Sequence, residues 1–388
     1  MNKNPISQSF AVKYEYKLYF TDNLFSLENA LFKTVVEQFK NNGPVKLLFV
    51  IDEGVHNNHP DLIQEMESYC GAFPDSLQYT ENLVVPGGER SKNDHMHVER
   101  ILKAINSERI CRHSFVVAIG GGAVVDMVGY AAAIAHRGVK LIRIPTTVLS
   151  QNDAAVGVKN SINIFGKKNF LGTFAPPQAI INDGNFLKTL QHRDWIAGIA
   201  EGIKVALIKD AQFFDYIAQN AKKLAGRDDE SMHYLIYRCA EMHMHHIANG
   251  GDPFESGSSR PLDFGHWAAH KLEHMTHYRL RHGEAVAIGM ALDLTYSKNI
   301  GLIDEKTLTS ILEVMDSVGF DLTIPLDNDR EREELLRGIQ EFREHLGGEL
   351  TITLISEIGK KVDVHEIDMT KMRSAIFEMN ERAKLKLV

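Results

Sequence analysis

The chain has 388 residues, of which 44% are hydrophobic and 24% charged, so it is long enough for two folded domains with sizeable cores. Its formal net charge of -8, without a basic stripe, argues against nucleic-acid binding, although a local anion site is compatible with it. Three scattered cysteines exclude a disulfide framework, and no segment has the apolar length of a signal peptide or a membrane span, so a cytoplasmic protein is expected.

The first half of the chain alternates strand and helix patterns. Val45–Asp52 and residues 114–120 and 139–144 are short, apolar and rich in β-branched residues, as in buried parallel strands. Residues 123–136 are almost wholly apolar and predict a helix that packs on the sheet. The pattern predicts a Rossmann-like, doubly wound α/β domain whose ligand crevice lies at the carboxyl ends of the strands.

A glycine turn at residues 120–122 links the second of these strands to the apolar helix. Such a turn brings backbone N–H groups against a pyrophosphate, although glycine clusters also make ordinary tight turns. Asp52 ends an earlier strand and is either a partner for ribose hydroxyls or a turn residue. Glu89 and Lys92 lie in a polar loop that could serve the same cofactor or remain a plain surface loop. Together these features favour a dinucleotide site.

The pattern changes to helices after the paired prolines at 176 and 177. Because proline denies the chain regular hydrogen bonding, the stretch from these prolines to Leu190 predicts a boundary between domains 1–190 and 191–388. The second domain is expected to be all-α, with a single strand at 350–355. Its expected helices are 194–209, 231–248, 267–278, 283–299, 305–318 and 331–345.

Histidines and one buried carboxylate predict a metal site in the helical domain. His266 and His270 are four residues apart, so they share a helix face, and His282 arrives on the next segment. Glu201 lies in an apolar helix and needs a cation, which is either Lys204 one turn on or a metal ion. Three protein ligands would leave a coordination position open for substrate. At this point His270 and His274 are either ligands or anion-binding and packing residues.

A cationic and polar cluster falls in glycine-containing stretches that we expect to be loops between strands. Repeated Lys and Asn residues near a cofactor site suit a phosphate group better than separate surface roles. The cluster therefore predicts a phosphorylated substrate. Its members are Arg137, Lys159, Asn160, Lys167, Lys168 and Asn169.

The order of these motifs resembles that of the sugar phosphate cyclases, typified by 3-dehydroquinate synthase, over nearly the whole chain. The resemblance implies that Glu201, His266 and His282 bind a zinc or cobalt ion. It moves His270 to a phosphate subsite with Lys159, Asn169 and Arg137, the last supplied by the partner subunit of a homodimer. Further catalytic residues implied by the resemblance are Lys204, Arg260 and Asp263, and Arg343 or His345 would complete the phosphate site.

The same resemblance implies NAD as the cofactor and a dehydroquinate synthase-like fold. NAD would be reduced and reoxidised within one turnover in which phosphate is eliminated and an aldol closure forms a carbocycle, so the enzyme is formally a lyase. The implied NAD contacts are Asp52, Glu89, Lys92, Gly121, Gly122, Asp126, Thr146, Thr147, Asp153, Lys168 and Thr189.

Departures from the 3-dehydroquinate synthase pattern point to a different substrate. That synthase usually has Asn where this chain has Asp263, and a Lys on the helix matched by residues 241–247, which contain none. Both changes disfavour binding of a substrate carboxylate, because one adds a negative charge and the other removes a positive charge. Segments 156–160, 171–177, 260–261 and 343–348 look more like the cyclases that convert sedoheptulose 7-phosphate to valiolone-type cyclitols. However, His270 stands where those relatives commonly have proline.

Three other hypotheses stay open. One is a true 3-dehydroquinate synthase. Another is a net oxidoreductase of the related iron- or zinc-type alcohol or glycerol dehydrogenase class, which would release NADH. The third is a catalytically silent scaffold that only binds NAD, which the joint presence of the metal and phosphate residues disfavours.

Overall fold

The computed structural model describes residues 5–250, 254, 262–326 and 328–386. A six-stranded sheet in the order β1-β8-β5-β4-β2-β3, parallel throughout, forms the first half. Its strands are β1 Lys17–Thr21, β2 Val45–Asp52, β3 Leu77–Val85, β4 Phe115–Gly120, β5 Lys140–Pro145 and β8 Ala179–Asp183. The three strands expected from the sequence are confirmed within one residue.

Helices cover both faces of this sheet. They are α1 Leu31–Glu37, α2 Glu53–Asn58, α3 Leu62–Ala72, α4 Glu89–Asn93, α5 His95–Ser107 and α6 Gly122–Ile134. Alternate residues of β2 enter different cores, since Phe49 packs with Phe32 and Met66 while Val50 packs with Ile101 and Val128. The strand is buried on both sides, which explains its continuous apolar sequence. The predicted α/β domain is confirmed.

The cationic stretch expected to be loop is a β-hairpin, so that expectation was wrong. Strands β6 Lys159–Ile164 and β7 Lys167–Phe174 pair antiparallel beside α6. Phe165 and Gly166 make the two-residue turn between them with φ of 55° and 69°. Positive φ at both positions is the hairpin-compatible turn geometry, which only Gly166 signals in sequence. Several hairpin positions carry polar residues that contact other parts of the protein. These residues interrupt the alternation of apolar and polar positions that indicates a strand.

The stretch 176–190 is more ordered than a linker. It contains β8, which lies between β1 and β5 in the main sheet, and a 3-10 turn at Gly184–Thr189. Helices begin immediately afterwards at His192. The exact division at residues 190 and 191 stays a prediction.

The second half is helical, with one small antiparallel hairpin. The expected helix 194–209 is divided at Gly198, and the structure adds α9, α15 and a second strand that the sequence reading did not foresee. Among the described residues, no helix combines the length and apolarity needed to cross a membrane. The elements are α7 His192–Ala197, α8 Ile199–Lys209, α9 Ala211–Ala225, α10 Asp229–Asn249, α11 His266–Met275, α12 His282–Asn299, α13 Glu305–Val318, α14 Asp329–His345, β9 Ile352–Glu357, β10 Lys360–Val364 and α15 Met369–Lys386.

Helix α12 organises the second half because it is buried along most of its length. Two of its glycines allow close helix approach. A Cβ at Gly283 would lie 1.8 Å from the carbonyl oxygen of Ala197, and a Cβ at Gly289 would lie 2.0 Å from that of Gly265. Larger residues at these positions would push α12 away from its neighbours. The glycines thus bring the starts of α8, α11 and α12 together.

Candidate active site

Three side chains converge where these helix starts meet. Nε2 of His266 and Nε2 of His282 each lie 3.8 Å from Oε1 of Glu201. The ligand atoms of all three residues lie within 4.8 Å of one another. This matches the predicted metal set Glu201, His266 and His282, which we call the trio. Two imidazoles and one carboxylate are a donor set that suits a divalent ion with an open coordination position.

The hydrogen bonds of the two imidazoles prepare them for this role. Nδ1 of His266 lies 3.1 Å from the carbonyl oxygen of Phe264, and Nδ1 of His282 lies 3.1 Å from Oε2 of Glu273. Because both partners can only accept, the Nδ1 atoms carry the protons and the Nε2 lone pairs face the centre of the trio. The rings therefore present the tautomer that binds metal.

Glu201 contacts Lys204, one of the two cations considered from the sequence, and keeps one carboxylate oxygen turned toward the two imidazoles. Its carboxylate is fully buried, Oε2 forms an ion pair with Lys204, and Oε1 has no hydrogen-bond partner among the described residues. Burial raises the pKa of Glu201, while the ammonium of Lys204 opposes that shift. Since a buried carboxylate oxygen needs a partner, the free Oε1 opposite two imidazoles fits a divalent ion.

Lys204 is shared among several carboxylates. Burial alone would lower its pKa, yet the charges of Glu201, Asp153 and Asp263 hold the pKa above its usual value. Asp153 in turn lies 3.1 Å from Nδ1 of His243 on α10. Burial works against ionisation of Asp153, but Lys204 and His243 nevertheless lower its pKa well below the usual range. Lys204 and His243 thus favour the ionised form of Asp153 beside the trio.

His270 lies beside the trio rather than within it. Its ring centroid is 5.5 Å from that of His266 and 6.1 Å from that of His282. Among the described residues only Glu201, His266 and His282 form a group with metal-binding spacing. His274, the other ambiguous histidine, is exposed at the last turn of α11. Neither His270 nor His274 therefore belongs to the trio.

The residues expected to bind NAD gather at the carboxyl edge of the sheet. Oδ1 of Asp52 accepts a hydrogen bond from the Gly54 N–H at 2.7 Å and would lie 2.7 Å from a Cβ at Gly87. A Cβ at Gly121 would touch Thr147 at 3.4 Å, and one at Gly122 would lie 2.8 Å from Ala154. These glycines thus allow the backbone at this edge to pack closely against Asp52, Thr147 and Ala154.

Two threonines complete this edge. The N–H of Thr146 donates to the Gly120 carbonyl oxygen at 3.1 Å, which joins β5 to the glycine turn. Oγ1 of Thr189 lies 2.9 Å from Nε2 of His59. Both threonines follow carboxyl ends of strands, as the predicted crevice requires.

Lys92 joins a residue expected to bind NAD to one expected to bind phosphate. Its buried ammonium donates to Oδ2 of Asp126 at 2.7 Å, Oγ of Ser161 at 3.0 Å and Oδ1 of Asn169 at 2.5 Å. These bonds use all three ammonium protons. Lys92 therefore fixes the hairpin against α6 and orients the Asn169 side chain.

Three residues in or near the site were not predicted from the sequence: Glu273, His243 and Arg143. The Arg143 guanidinium is fully buried in β5 and donates to the carbonyl oxygens of Ala155 and Gly157 at 2.8 and 2.5 Å. It also donates to the Lys159 carbonyl oxygen at 3.1 Å and to Oδ1 of Asn160 at 2.7 Å. An arginine within an apolar strand signals such an acceptor network, because a buried guanidinium must be satisfied.

The remaining predicted residues are placed less centrally. Arg137 is exposed after α6, at the amino end of β5, and thus at the edge of the sheet opposite the crevice. Lys159 is the exposed first residue of β6. Arg343 donates from Nε to the Gly348 carbonyl oxygen at 2.7 Å. Arg260 and the side chain of His345 lie outside the described residues.

Residues 82–197 match the family model of the 3-dehydroquinate synthase N-terminal region, and residues 198–341 match that of its C-terminal region. The chain is 32% identical to a 3-dehydroquinate synthase of Shewanella sp. (strain MR-4) over 89% of this chain and 91% of the relative. Its structure resembles 2-epi-5-epi-valiolone synthase (ValA) from Streptomyces hygroscopicus subsp. jinggangensis 5008, solved with NAD+ and Zn2+, at 26% identity and a TM-score of 0.87, covering 97% of this chain and all of that one. A 2-deoxy-scyllo-inosose synthase complexed with carbaglucose-6-phosphate, NAD+ and Co2+ shares the fold at 21% identity and a TM-score of 0.77, with 94% and 96% coverage.

Proposed function

Because the chain belongs to the 3-dehydroquinate synthase family, we propose that it is an NAD- and metal-dependent cyclase that converts sedoheptulose 7-phosphate to a valiolone-type cyclitol. The trio Glu201, His266 and His282 would hold the divalent ion, and the carboxyl edge of the sheet would hold NAD. When bound, the ion supplies Lewis acidity and NAD supplies reversible hydride transfer. The family places the chain among sugar phosphate cyclases; the substrate is our proposal.

The observation that carries this choice is Asp263, a carboxylate at the position where 3-dehydroquinate synthases usually have a neutral amide. Its charge acts on Lys204 together with those of Glu201 and Asp153, so it adds to the negative charge beside the trio. A keto-acid substrate would bring a further carboxylate into this environment, where like charges repel. A sugar phosphate carries its charge on the phosphate, away from the ring hydroxyls that approach the ion. The charge distribution therefore favours a sugar without a carboxylate.

We assign the phosphate to Lys159, Asn169 and His270, the residues that the family resemblance implies. Asn169 is held in place by Lys92, and His270 lies beside the trio. Cationic and hydrogen-bonding groups that hold a leaving phosphate stabilise the negative charge it gains when it is expelled. By stabilising the charge on the leaving phosphate, these residues would lower the barrier to its elimination.

The runner-up is 3-dehydroquinate synthase itself. It is favoured by the curated relatives, such as the Shewanella protein at 32% identity, and by His270 at a position where valiolone-making enzymes commonly have proline. The dehydrogenase hypothesis differs in outcome, since it predicts net formation of NADH.

A single experiment separates these functions. The zinc-loaded protein with NAD is incubated with sedoheptulose 7-phosphate or with the keto-acid phosphate of the aromatic pathway, while phosphate and NADH absorbance are measured. We expect phosphate from the sugar without accumulation of NADH. Phosphate from the keto acid alone would make the protein a 3-dehydroquinate synthase, and stoichiometric NADH without phosphate would make it a dehydrogenase.

We further propose that Arg137 acts in the site of a second copy of the chain. In one chain it lies at the sheet edge opposite the crevice, so it can reach a phosphate only across an interface. Arg137→Ala and His282→Ala chains should each be inactive alone. After the two chains are unfolded and refolded together, about a quarter of the wild-type activity should return, because half of the dimers are mixed and each has one intact site. No return of activity in verified mixed dimers would disprove a shared site.

A further inference from the structure

A line of four charged or polar side chains joins the loop expected to bind the cofactor to the candidate metal ligands. Oε1 of Glu89 lies 3.3 Å from Nζ of Lys168, which donates to Oε1 of Glu273 at 2.8 Å. The other oxygen of Glu273 accepts from Nδ1 of His282 at 3.1 Å. The four residues belong to α4, β7, α11 and α12. The line therefore crosses from the α/β half to the helical half.

Both carboxylate oxygens of Glu273 form hydrogen bonds within this line. It is 2% exposed, and each carboxylate oxygen has its own partner. Burial would favour the protonated form, but His282 and Lys168 lower the pKa of Glu273 well below its usual range. An ionised carboxylate at Nδ1 fixes the tautomer and the ring orientation of a metal-binding histidine and increases its basicity. Two separate partners, one on each oxygen, therefore hold the Glu273 carboxylate in a defined orientation.

Lys168 is the branch point of the line. One ammonium serves two carboxylates, and the Glu89 side is itself fixed by Nδ2 of Asn163, which donates to Oε2 at 2.8 Å. Both carboxylates raise the pKa of Lys168 against the effect of burial. Its charge is therefore already balanced by protein carboxylates. A nucleotide that orders Glu89 would also order Lys168 and, through it, Glu273.

We propose that Glu273 is a positioning residue for His282 and that Lys168 couples nucleotide binding to metal binding. The proposal rests on the proposed function only in placing NAD and a divalent ion in this site. The expected coupling is positive, because each ligand orders part of the same line before the other binds. Such coupling is reciprocal, so NAD strengthens zinc binding by the factor by which zinc strengthens NAD binding.

Zinc affinity, measured by competition with a chelator in the presence and absence of NAD, tests both parts without substrate. Glu273→Gln should weaken zinc binding about 10- to 100-fold, the usual effect of losing such a partner. Glu273→Asp, which keeps the charge, should recover part of that loss. Lys168→Met should leave zinc binding present but remove the effect of NAD on it, measured at an NAD concentration that a separate titration shows to saturate the variant. Lys103→Met, at an exposed position on α5, is the control and should keep both.

The absorption spectrum of the cobalt-substituted protein supplies a readout that general destabilisation would not change. It should shift in Glu273→Gln, because the orientation of His282 changes, and stay as in the wild type in Lys103→Met. Wild-type zinc affinity and an unshifted spectrum in Glu273→Gln would overturn the positioning role. Equal zinc affinity with and without NAD in the wild type would overturn the coupling. If the coupling is found but neither phosphate substrate reacts, only the proposed function fails.

Discussion

His282→Ala is expected to abolish phosphate release and to weaken zinc binding by more than the 10- to 100-fold that loss of an outer partner costs. The reason is that His282 is one of the three candidate donors found among the described residues, and its Nε2 lies 3.8 Å from Oε1 of Glu201. Without it, a divalent ion keeps two protein donors. Chelator competition measures the affinity, and a phosphate assay measures turnover with the preferred substrate.

The matched control is His274→Ala. His274 is an exposed histidine in the last turn of α11, so its loss removes an imidazole without changing the trio. We expect zinc affinity and turnover close to those of the wild type. His282→Gln retains more side-chain volume and guards against misfolding of the alanine variant. Full turnover by either folded His282 variant would contradict the assigned metal site.

The candidate metal ligands were predicted through the family resemblance, because residues on three different helices have no spacing that helix geometry sets. His266 and His282 lie at the first residues of α11 and α12, and Glu201 lies in the first turn of α8. Spacing alone also admitted His270, which shares the face of His266. Only the resemblance assigned it elsewhere, and the structure places its ring beside the trio.

The supporting residues were harder to predict because their partners are distant in the chain. Glu273 contacts His282 nine residues away but Lys168 at 105 residues away, so no local pattern marks it as part of the site. The hairpin was missed for a related reason. Ser161 and Asn169 face Lys92, and these polar positions break the alternation that indicates a strand. Both the role of Glu273 and the hairpin thus depend on tertiary contacts, which local sequence propensity does not reveal.

Lys204→Met is expected to lower the free energy of unfolding of the metal-free protein by about 3 to 5 kcal/mol, the usual cost of removing one partner of a buried ion pair. Lys204 is 2% exposed and Glu201 is fully buried, so the variant leaves a carboxylate without its cation in a water-excluded place. Asp153 loses the same cation, which contributes to its lowered pKa. Urea unfolding at pH 8 measures the loss, and Lys222→Met, an exposed lysine on α9, should change stability by less than about 0.5 kcal/mol.

The loss should depend on pH and on metal in ways that packing alone would not. Burial already raises the pKa of Glu201, and without Lys204 it rises further, so the folded variant takes up a proton more readily than the unfolded chain. Stability linked to a raised carboxyl pKa increases as the pH falls, so the deficit should be smaller at pH 5.5 than at pH 8. Zinc should also recover part of it at pH 8, because the ion replaces the missing positive charge beside Glu201. A deficit that is independent of both pH and zinc would mean that Lys204 stabilises the protein through its hydrocarbon stem, and that Glu201 does not depend on it as a counter-ion.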